Sequence, residues 1–287
     1  MRDIERYCTA ELRGLYPEGE VRAFLRILFE AFVGWNTTDL LLHRDDTVNQ
    51  SVLLQFHWAV EDLKRFRPIQ HIVGYTTFCD CHIEVNEDVL IPRPETEQLV
   101  ERIVQLWSTA PSQITDHRSQ ITEIIDLCTG SGCIAIALAQ RFPQAAVTAV
   151  DVSSKALQVA QRNASNNNVK IHFLHADVLH DFTVEHNSFD LLVSNPPYVC
   201  HSEQDVMAPN VLNYEPHGAL FVPDSDPLLF YRSIADFAAQ HNVQRVALEI
   251  NEHFATQTAA LYDSKGFATR IENDFRDRPR FLFGQKK

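Results

Sequence analysis

The sequence has few basic residues, and this shortage limits the partners that the chain could bind. Lys and Arg number 25 against 38 Asp and Glu, giving a formal net charge of −13 over 287 residues. Proteins that grip duplex DNA neutralise its phosphates with clustered Lys and Arg. The one such cluster, Arg276, Arg278 and Arg280, is expected to flank a final strand. The composition therefore disfavours a stable nucleic-acid partner and tolerates a protein substrate.

Membrane and metal-binding patterns are also absent from the sequence. No apolar run approaches the ~20 residues of a membrane span, and the charged start Met1-Arg-Asp-Ile-Glu-Arg6 does not resemble a signal peptide. The six cysteines and 13 histidines show no metal-binding spacing. We therefore expect a cytoplasmic enzyme with free thiols, no metal site and no membrane association.

A glycine turn follows a predicted strand, but the usual phosphate-binding patterns are missing. Residues 123–132, Glu-Ile-Ile-Asp-Leu-Cys-Thr-Gly-Ser-Gly, predict a buried strand and a turn, and residues 133–141 predict a helix. Such a strand, turn and helix can receive a nucleotide. Ala135 leaves Gly-x-Gly-x-x-Gly incomplete, and the Lys-Ser/Thr of a phosphate-binding loop is absent. A ligand without phosphates is favoured over a pyrophosphate.

Acidic residues end the next two predicted strands. Asp151 follows the stretch 146–150, about twenty residues after the glycines, a position from which a carboxylate can accept both ribose hydroxyls. Asp177 ends the stretch that starts at Lys170 and is suited to an adenine edge. Either acid alone could be a helix cap or a solvated loop residue. Because they recur at strand ends, we interpret them as nucleoside-binding.

The most informative stretch is residues 191–198, Leu-Leu-Val-Ser-Asn-Pro-Pro-Tyr, in which an apolar strand leads into Asn-Pro-Pro-Tyr. The oxygen of Asn195 and the carbonyl of Pro196 can accept two N–H groups of a planar amide or amine. Both oxygens would favour a developing tetrahedral nitrogen. Pro196 and Pro197 stiffen the turn, and Tyr198 offers a flat face for stacking. The alternative is a proline-rich turn in which Asn195 bonds its own backbone.

Six motifs in a fixed order extend this pattern over nearly the whole chain. They are Pro68-Ile-Gln-His-Ile-Val-Gly74, Val89-Leu-Ile-Pro-Arg-Pro-Glu-Thr-Glu97, Asp126-Leu-Cys-Thr-Gly-Ser-Gly132, Asp151-Val-Ser-x-x-Ala-Leu157, Asn195-Pro-Pro-Tyr198 and Tyr214-Glu-Pro-His-Gly-Ala-Leu220. The sequence closely resembles the PrmC/HemK family of peptide chain release factor glutamine methyltransferases. Asn-Pro-Pro-Tyr is shared with adenine-modifying DNA methyltransferases, whereas Ile-Pro-Arg-Pro-Glu-Thr-Glu singles out this family.

The resemblance implies S-adenosylmethionine as methyl donor and assigns residues to its binding. By position, Asp151 would hold the ribose hydroxyls, Asp177 and Val178 would flank the adenine, and Asn195 would also lie beside the donor. The residues implied to line the amino acid and ribose parts of the donor are Cys128, Thr129, Gly130, Ser131 and Gly132.

The acceptor implied by the resemblance is the side-chain amide of the glutamine in a release factor's Gly-Gly-Gln motif. Asn195, Pro196 and Tyr198 would be the catalytic residues that hold this amide. Pro197 and Glu215 would be the further substrate-binding residues. Glu215 could instead be a cap-like surface acid, but the Glu-Pro match to the family favours a supporting role at the acceptor. Direct in-line transfer without a covalent enzyme intermediate is expected, because alignment on the sulfonium donor supplies most of the acceleration.

The chain departs from the family pattern at three positions. Cys128 replaces a glycine, Tyr214 replaces a phenylalanine, and Asn251 stands where the family usually has glycine. The first two changes look tolerable. At the third, a turn with positive φ is expected, for which Asn is well suited among non-glycine residues.

The predicted architecture is an α/β fold with a small helical domain in front. Apolar residues recur at helical spacing over 21–32 and 52–63, which predicts an N-terminal helical domain over 1–70. Residues 71–90 alternate in polarity and predict a hairpin linker, and 111–120 and 199–218 predict loops. Over 91–287, strands alternate with helices. This region is expected to be a Rossmann-like class I S-adenosylmethionine-dependent methyltransferase domain with a mostly parallel seven-stranded sheet.

Three functions compete at this stage. The first is a glutamine methyltransferase that acts as a monomer on release factors docked on the helical domain, as the resemblance implies. The second is an adenine methyltransferase acting on DNA or RNA. The third is a non-catalytic donor-binding partner protein, which the intact Asn-Pro-Pro-Tyr and Asp151 disfavour.

Overall fold

Two compact units make up the chain. The computed structural model describes residues 2–43, 46–108, 121–180, 182, 184 and 188–287. One unit consists of Met1–Tyr75 and Ala208–Tyr214, and the other of Thr76–Met207 and Glu215–Lys287. The predicted domain boundaries, 1–70, 71–90 and 91–287, stay a prediction. The loop predicted over 111–120 lies outside the described residues.

The first unit is helical. It contains α1 (Arg2–Leu12), α2 (Glu18–Val33), α3 (Thr37–Leu42), α4 (Gln50–Lys64) and α5 (Ile69–Val73). As predicted from the apolar spacing, α2 and α4 are helices, and Gly34 ends α2 with a left-handed φ of 75°. Phe29 of α2 and Phe56 of α4 are buried and their ring centroids are 4.6 Å apart. Burial of these apolar faces holds the short helices together, since isolated helices of this length are marginal.

A hairpin occupies part of the stretch predicted to contain one. It consists of β1 (Tyr75–Phe78) and β2 (Cys81–Glu84). Cys79 and Asp80 form the two-residue turn, with φ of 48° and 67°. Two consecutive left-handed residues are what a type I′ turn requires, and its twist matches that of the strands.

The second unit is built on a mostly parallel seven-stranded sheet, as predicted. Its strands are β3 (Glu123–Leu127), β4 (Ala146–Asp151), β5 (His172–His175), β6 (Leu191–Ser194), β9 (Arg245–Glu249), β10 (Phe267–Asn273) and β11 (Pro279–Lys286). The order is β10-β11-β9-β6-β3-β4-β5, and β11 is antiparallel to both of its neighbours. A separate parallel pair joins β7 (Val199–Cys200) to β8 (Phe221–Val222).

Both faces of the large sheet are buried. Ile124 and Val193 belong to one apolar cluster, whereas Ile125 and Leu192, one residue away along β3 and β6, belong to the other. The helices of this unit are α6 (Pro94–Trp107), α7 (Cys133–Arg141), α8 (Ser154–Asn166), α10 (Leu229–Gln240) and α11 (Ala255–Ser264). Burial on both sides explains why the parallel strands read as continuous apolar runs.

The stretch 199–218, predicted as a long loop, contains more structure than expected. Short 3₁₀ helices span His201–Val206 and His217–Ala219, and α9 (Pro209–Leu212) lies between them. Ala208–Tyr214 groups with the helical unit, where the Tyr214 hydroxyl donates to the carbonyl of Arg65 at 2.8 Å. That bond needs the hydroxyl that distinguishes Tyr214 from the phenylalanine of the family pattern. Among the residues described, no helix is long and apolar enough to cross a membrane.

Candidate active site

The candidate active site lies at the carboxyl ends of the parallel strands. β3 has β4 on one side and β6 on the other, so the strand order reverses there. Open α/β sheets bind ligands at such a switch point. A cavity of about 310 Å³ is lined by residues that follow β3, β4, β5 and β6, a volume within the range of small-molecule sites.

In the turn after β3, three alternate residues have left-handed backbone conformations. Gly130 and Gly132 have φ of 55° and 81°, and Cys128 has φ of 62°. A Cβ at Gly132 would stand 3.0 Å from Cβ of Ala160 in α8, so a larger residue would have to displace α8 as well as adopt a strained φ. The turn therefore brings backbone to the cavity and packs closely on the following helices.

Asp151, at the end of β4, is held by backbone N–H groups. One carboxylate oxygen accepts from Gly130 N at 2.8 Å and the other from Ser153 N at 2.9 Å. Burial raises the pKa of Asp151 above its ordinary value, although these N–H groups act in the opposite direction. Each carboxylate oxygen has a further lone pair, so hydroxyl groups of a ligand can still bind there.

The region after β5 combines one acid with apolar side chains. Asp177 accepts from Leu179 N at 2.9 Å, and its other oxygen lies 2.9 Å from Nδ1 of His180. Val178 and Phe230 also line the cavity. Apolar walls with a few polar groups are suited to a planar base.

The charges around the cavity favour a cationic ligand over a phosphate. Asp88, Asp151 and Asp177 line it, and Arg93 is the basic residue among its described lining residues. Nη2 of Arg93 is bonded to Oε1 of the buried Glu215 at 2.5 Å. Arg93 is thus engaged by a partner, and Asp88 is likewise paired with Nζ of Lys155 at 3.2 Å. Asp151 and Asp177 therefore leave the cavity acidic.

On the β6 side, a chain of hydrogen bonds starts at Asn195. Nδ2 of Asn195 donates to Oγ1 of Thr96 at 3.1 Å, and Thr96 donates to Oε2 of Glu249 at 2.7 Å. Tyr198 donates to Oε1 of the same carboxylate at 2.8 Å. Thr96 and Glu249 are buried, and burial is the main cause that raises the pKa of Glu249. Asn195 also lines the cavity, and its Oδ1 is the end of the amide that Thr96 does not bind.

Glu215 supports the turn before α6. Its Oε2 accepts from Ile91 N at 3.1 Å, while Oε1 binds Arg93. Burial is the first cause that raises its pKa, with Arg93 acting against it. Glu215 therefore acts on the cavity wall through the 91–93 turn.

Most predicted site residues come together at this cavity. Those that line it are Cys128, Thr129, Gly130, Ser131, Asp151, Asp177, Val178, Asn195 and Pro197. Four predicted residues are not among its lining residues, namely Gly132, Pro196, Tyr198 and Glu215. The sequence reasoning missed the roles of Thr96 and Glu249. Glu249 ends the buried strand β9, the same signal that identified Asp151.

The expected positive φ at Asn251 was wrong. Asn251 has φ of −69° and is 3% exposed. Its Nδ2 donates to the carbonyl of Tyr198 and to Oε2 of Glu203, both at 3.0 Å, and its Oδ1 accepts from His253 N at 2.9 Å. The side-chain amide of Asn251 ties the end of Asn-Pro-Pro-Tyr to the end of β9.

Solved structures with a similar fold are methyltransferases. The hMettl16 catalytic domain in complex with MAT2A 3′UTR hairpin 1 is 14% identical, with a TM-score of 0.54 over 83% of this chain and 81% of that one. A methyltransferase from Pyrococcus furiosus is 16% identical, with a TM-score of 0.50 over 72% of this chain and 89% of that one. At these identities the likeness establishes the class I methyltransferase fold alone.

Sequence comparisons define the family. The profile of the PrmC N-terminal domain matches residues 3–74, and that of the methyltransferase small domain matches 112–217. A release factor glutamine methyltransferase of Flavobacterium psychrophilum is 40% identical over 274 residues, 94% of each chain. One of Bacteroides thetaiotaomicron is 33% identical over 98% of this chain and 99% of the relative. The chain therefore belongs to the release factor glutamine methyltransferase family.

Proposed function

We propose that this chain transfers a methyl group from S-adenosylmethionine to the side-chain amide nitrogen of the glutamine in the Gly-Gly-Gln motif of peptide chain release factors. The observation that carries the proposal is the placement of Asn195. Its amide is anchored by Thr96 and leaves an acceptor oxygen at a cavity beside Asp151. Membership of the release factor glutamine methyltransferase family supports the same acceptor.

The donor fits the residues of the cavity. S-adenosylmethionine supplies an electrophilic methyl group on a sulfonium when it is bound. Asp151 would accept the ribose hydroxyls, Asp177 and Val178 would flank the adenine, and the 128–132 turn would lie against the amino acid part. An acidic cavity suits a ligand with a positive sulfur and no phosphate.

The acceptor amide is a weak nucleophile because its lone pair is delocalised. Oδ1 of Asn195 and the carbonyl of Pro196 would accept its two N–H groups and stabilise the tetrahedral nitrogen that forms during transfer. Orientation of the amide toward the donor supplies the rest of the acceleration. No protein base is required, since the methylated nitrogen can release its proton to water.

Docking of the release factor is assigned to the helical unit. The unit matches the PrmC N-terminal domain profile, and it presents Leu41, Leu42 and Trp58 with 72%, 74% and 65% of their surface exposed. The helical unit buries other apolar residues in its core, so these three large side chains are left at its surface, where they suit contact with a protein. The reaction belongs in the cytoplasm with translation, and one copy of the chain suffices for it.

Methylation of an adenine amino group is the second candidate, because Asn-Pro-Pro-Tyr is compatible with that acceptor. The curated relatives and the net charge of −13 favour the protein acceptor. The structural likeness to an RNA-bound catalytic domain does not change this balance, since it reports the fold alone.

Transfer of a labelled methyl group from S-adenosylmethionine to parallel acceptors tests the proposal. The acceptors are a release factor with Gly-Gly-Gln, the same factor with that glutamine changed to alanine, duplex DNA and single-stranded RNA. We expect label only on the intact factor. Label on either nucleic acid and none on the factor would make the second candidate correct.

A further inference from the structure

We propose that Thr96 and Glu249 are positioning residues that determine which end of the Asn195 amide faces the acceptor. The inference rests on the proposed function and deepens it. An amide has a donor end and an acceptor end of almost equal shape, so packing alone does not distinguish them. Only the acceptor end can receive an N–H group of the substrate glutamine.

The carboxylate of Glu249, the last group in this series of hydrogen bonds, determines the direction of each bond. An ionised carboxylate only accepts, so Oε2 of Glu249 takes the single proton of the Thr96 hydroxyl, 2.7 Å away. The oxygen of Thr96 can then interact with Asn195 only as an acceptor. Nδ2 of Asn195 must therefore face Thr96, at 3.1 Å, and Oδ1 must face away from it. Glu249 thus controls Asn195 without being among the described lining residues of the cavity.

Burial of Thr96 and Glu249 protects the hydrogen bonds that set this direction. Thr96 is 2% exposed and Glu249 is 2% exposed, so water has little access to replace either bond. The second oxygen of Glu249 accepts from Tyr198 at 2.8 Å, and Arg280 lies with Nη1 3.4 Å from that hydroxyl. The carboxylate therefore has partners at both oxygens and a cation nearby, which a buried charge requires.

Reversal of the amide would place N–H groups opposite N–H groups. The substrate glutamine would then lose an acceptor and meet a donor, so transfer would slow even with both substrates bound. Loss of the outer-shell groups that orient metal-binding side chains commonly lowers affinity or activity about 10- to 100-fold, and we expect a loss of this size for Asn195. Thr96 itself lines the cavity, but Glu249 and Asn195 engage its hydroxyl. The donor contacts proposed for the turns after β3 and β4 do not include Thr96, so donor affinity should be retained.

The test replaces Thr96 by valine, which keeps the shape of the side chain and removes the hydroxyl. We expect kcat on the release factor to fall about 10- to 100-fold, with KM for the factor and the calorimetric Kd of S-adenosylmethionine each within about twofold. Thr96→Ser retains the hydroxyl and should restore most of the kcat. This split and this rescue distinguish positioning from a general structural role.

A matched control comes from another buried threonine of the same unit. Thr258 in α11 is fully buried and donates to the carbonyl of Phe254 at 2.9 Å, and it does not line the cavity. Thr258→Val removes one hydroxyl from a helix and should leave kcat unchanged. An equal loss of kcat in both valine variants would overturn the proposal, as would wild-type kcat in Thr96→Val or failure of the serine rescue.

A second variant covers the case in which Thr96→Val does not fold. Glu249→Gln offers one acceptor and one donor where two acceptors are needed. Part of the population should then have Asn195 reversed, and kcat should fall in proportion to that fraction. Full kcat in a folded Glu249→Gln protein would overturn the proposal. Absence of any transfer by the wild-type protein would instead contradict the proposed function, so the two failures are distinguishable.

Discussion

The two ends proposed for the cavity, a donor end at Asp151 and an acceptor end at Asn195, are built in different ways. At the donor end, Asp151 binds Gly130 and Ser153, which are 21 and 2 residues away in sequence. At the acceptor end, Asn195 and Thr96 are 99 residues apart, and Thr96 and Glu249 are 153 apart. The donor end is therefore a product of adjacent strand and turn units, whereas the acceptor end is assembled by the whole sheet.

The two ends are therefore expected to contribute to different steps, namely binding of the donor and transfer of the methyl group. Local turns supply backbone N–H groups and glycine conformations, which any two adjacent βα units can provide. The acceptor end needs one side chain to be oriented, and its support comes from α6 and β9, far apart in sequence. Changes at the donor end should therefore act mainly on Kd, and changes at the acceptor end mainly on kcat.

The largest effect is expected for Asn195→Ala. Removal of the oxygen that is proposed to accept the substrate N–H should lower kcat about 100- to 1,000-fold, the usual cost of losing one group that stabilises a transition state. The calorimetric Kd of S-adenosylmethionine should change less than about threefold. Equal kcat in the mutant would remove Asn195 from the mechanism. A large loss of donor affinity would show that the two ends are not separable.

A smaller effect, at the opposite end, is expected for Asp151→Ala. Loss of charge-assisted hydrogen bonds should weaken donor binding by about 1 to 3 kcal/mol, with kcat at saturating donor nearly unchanged. Calorimetry with S-adenosylmethionine measures this change.

Asp263→Ala is the matched control for Asp151→Ala. Asp263 accepts from the Thr269 backbone N at 3.3 Å and from its hydroxyl at 2.8 Å, and it does not line the cavity. We expect the wild-type donor Kd in this variant. If Asp151→Ala also kept the wild-type Kd, the ribose assignment would be wrong.

The same contrast explains which parts of the molecule were predictable. The strand 146–151 and the helix 133–141 were predicted at the residues where they occur, because apolar periodicity and a glycine turn are local signals. The pairing of Thr96 with Glu249 was not, because no local pattern records which distant residues a sheet brings together. Asn251 failed for another reason. Its residue type suggested a backbone conformation, while the structure uses its side chain.

The smallest effect is expected at Cys128, where the donor turn departs from the glycine of the family pattern. A non-glycine residue at φ of 62° carries roughly 1 to 2 kcal/mol of strain. Cys128→Gly relieves that strain but loses up to about 1 kcal/mol from a partly buried side chain and about 0.5 to 1 kcal/mol to the entropy of the unfolded chain. The free energy of unfolding in urea should therefore change by less than about 1 kcal/mol.

Cys128→Val provides the contrast to Cys128→Gly. A β-branched residue is poorly tolerated at positive φ, so this variant should be destabilised by about 1 to 3 kcal/mol. The same urea titration measures it, and an unchanged slope against urea would show that both variants unfold from the same native state. Wild-type stability in Cys128→Val would mean that position 128 is not held in the left-handed region. In that case the glycine of the family pattern would have to be explained by contact with the donor and not by the turn.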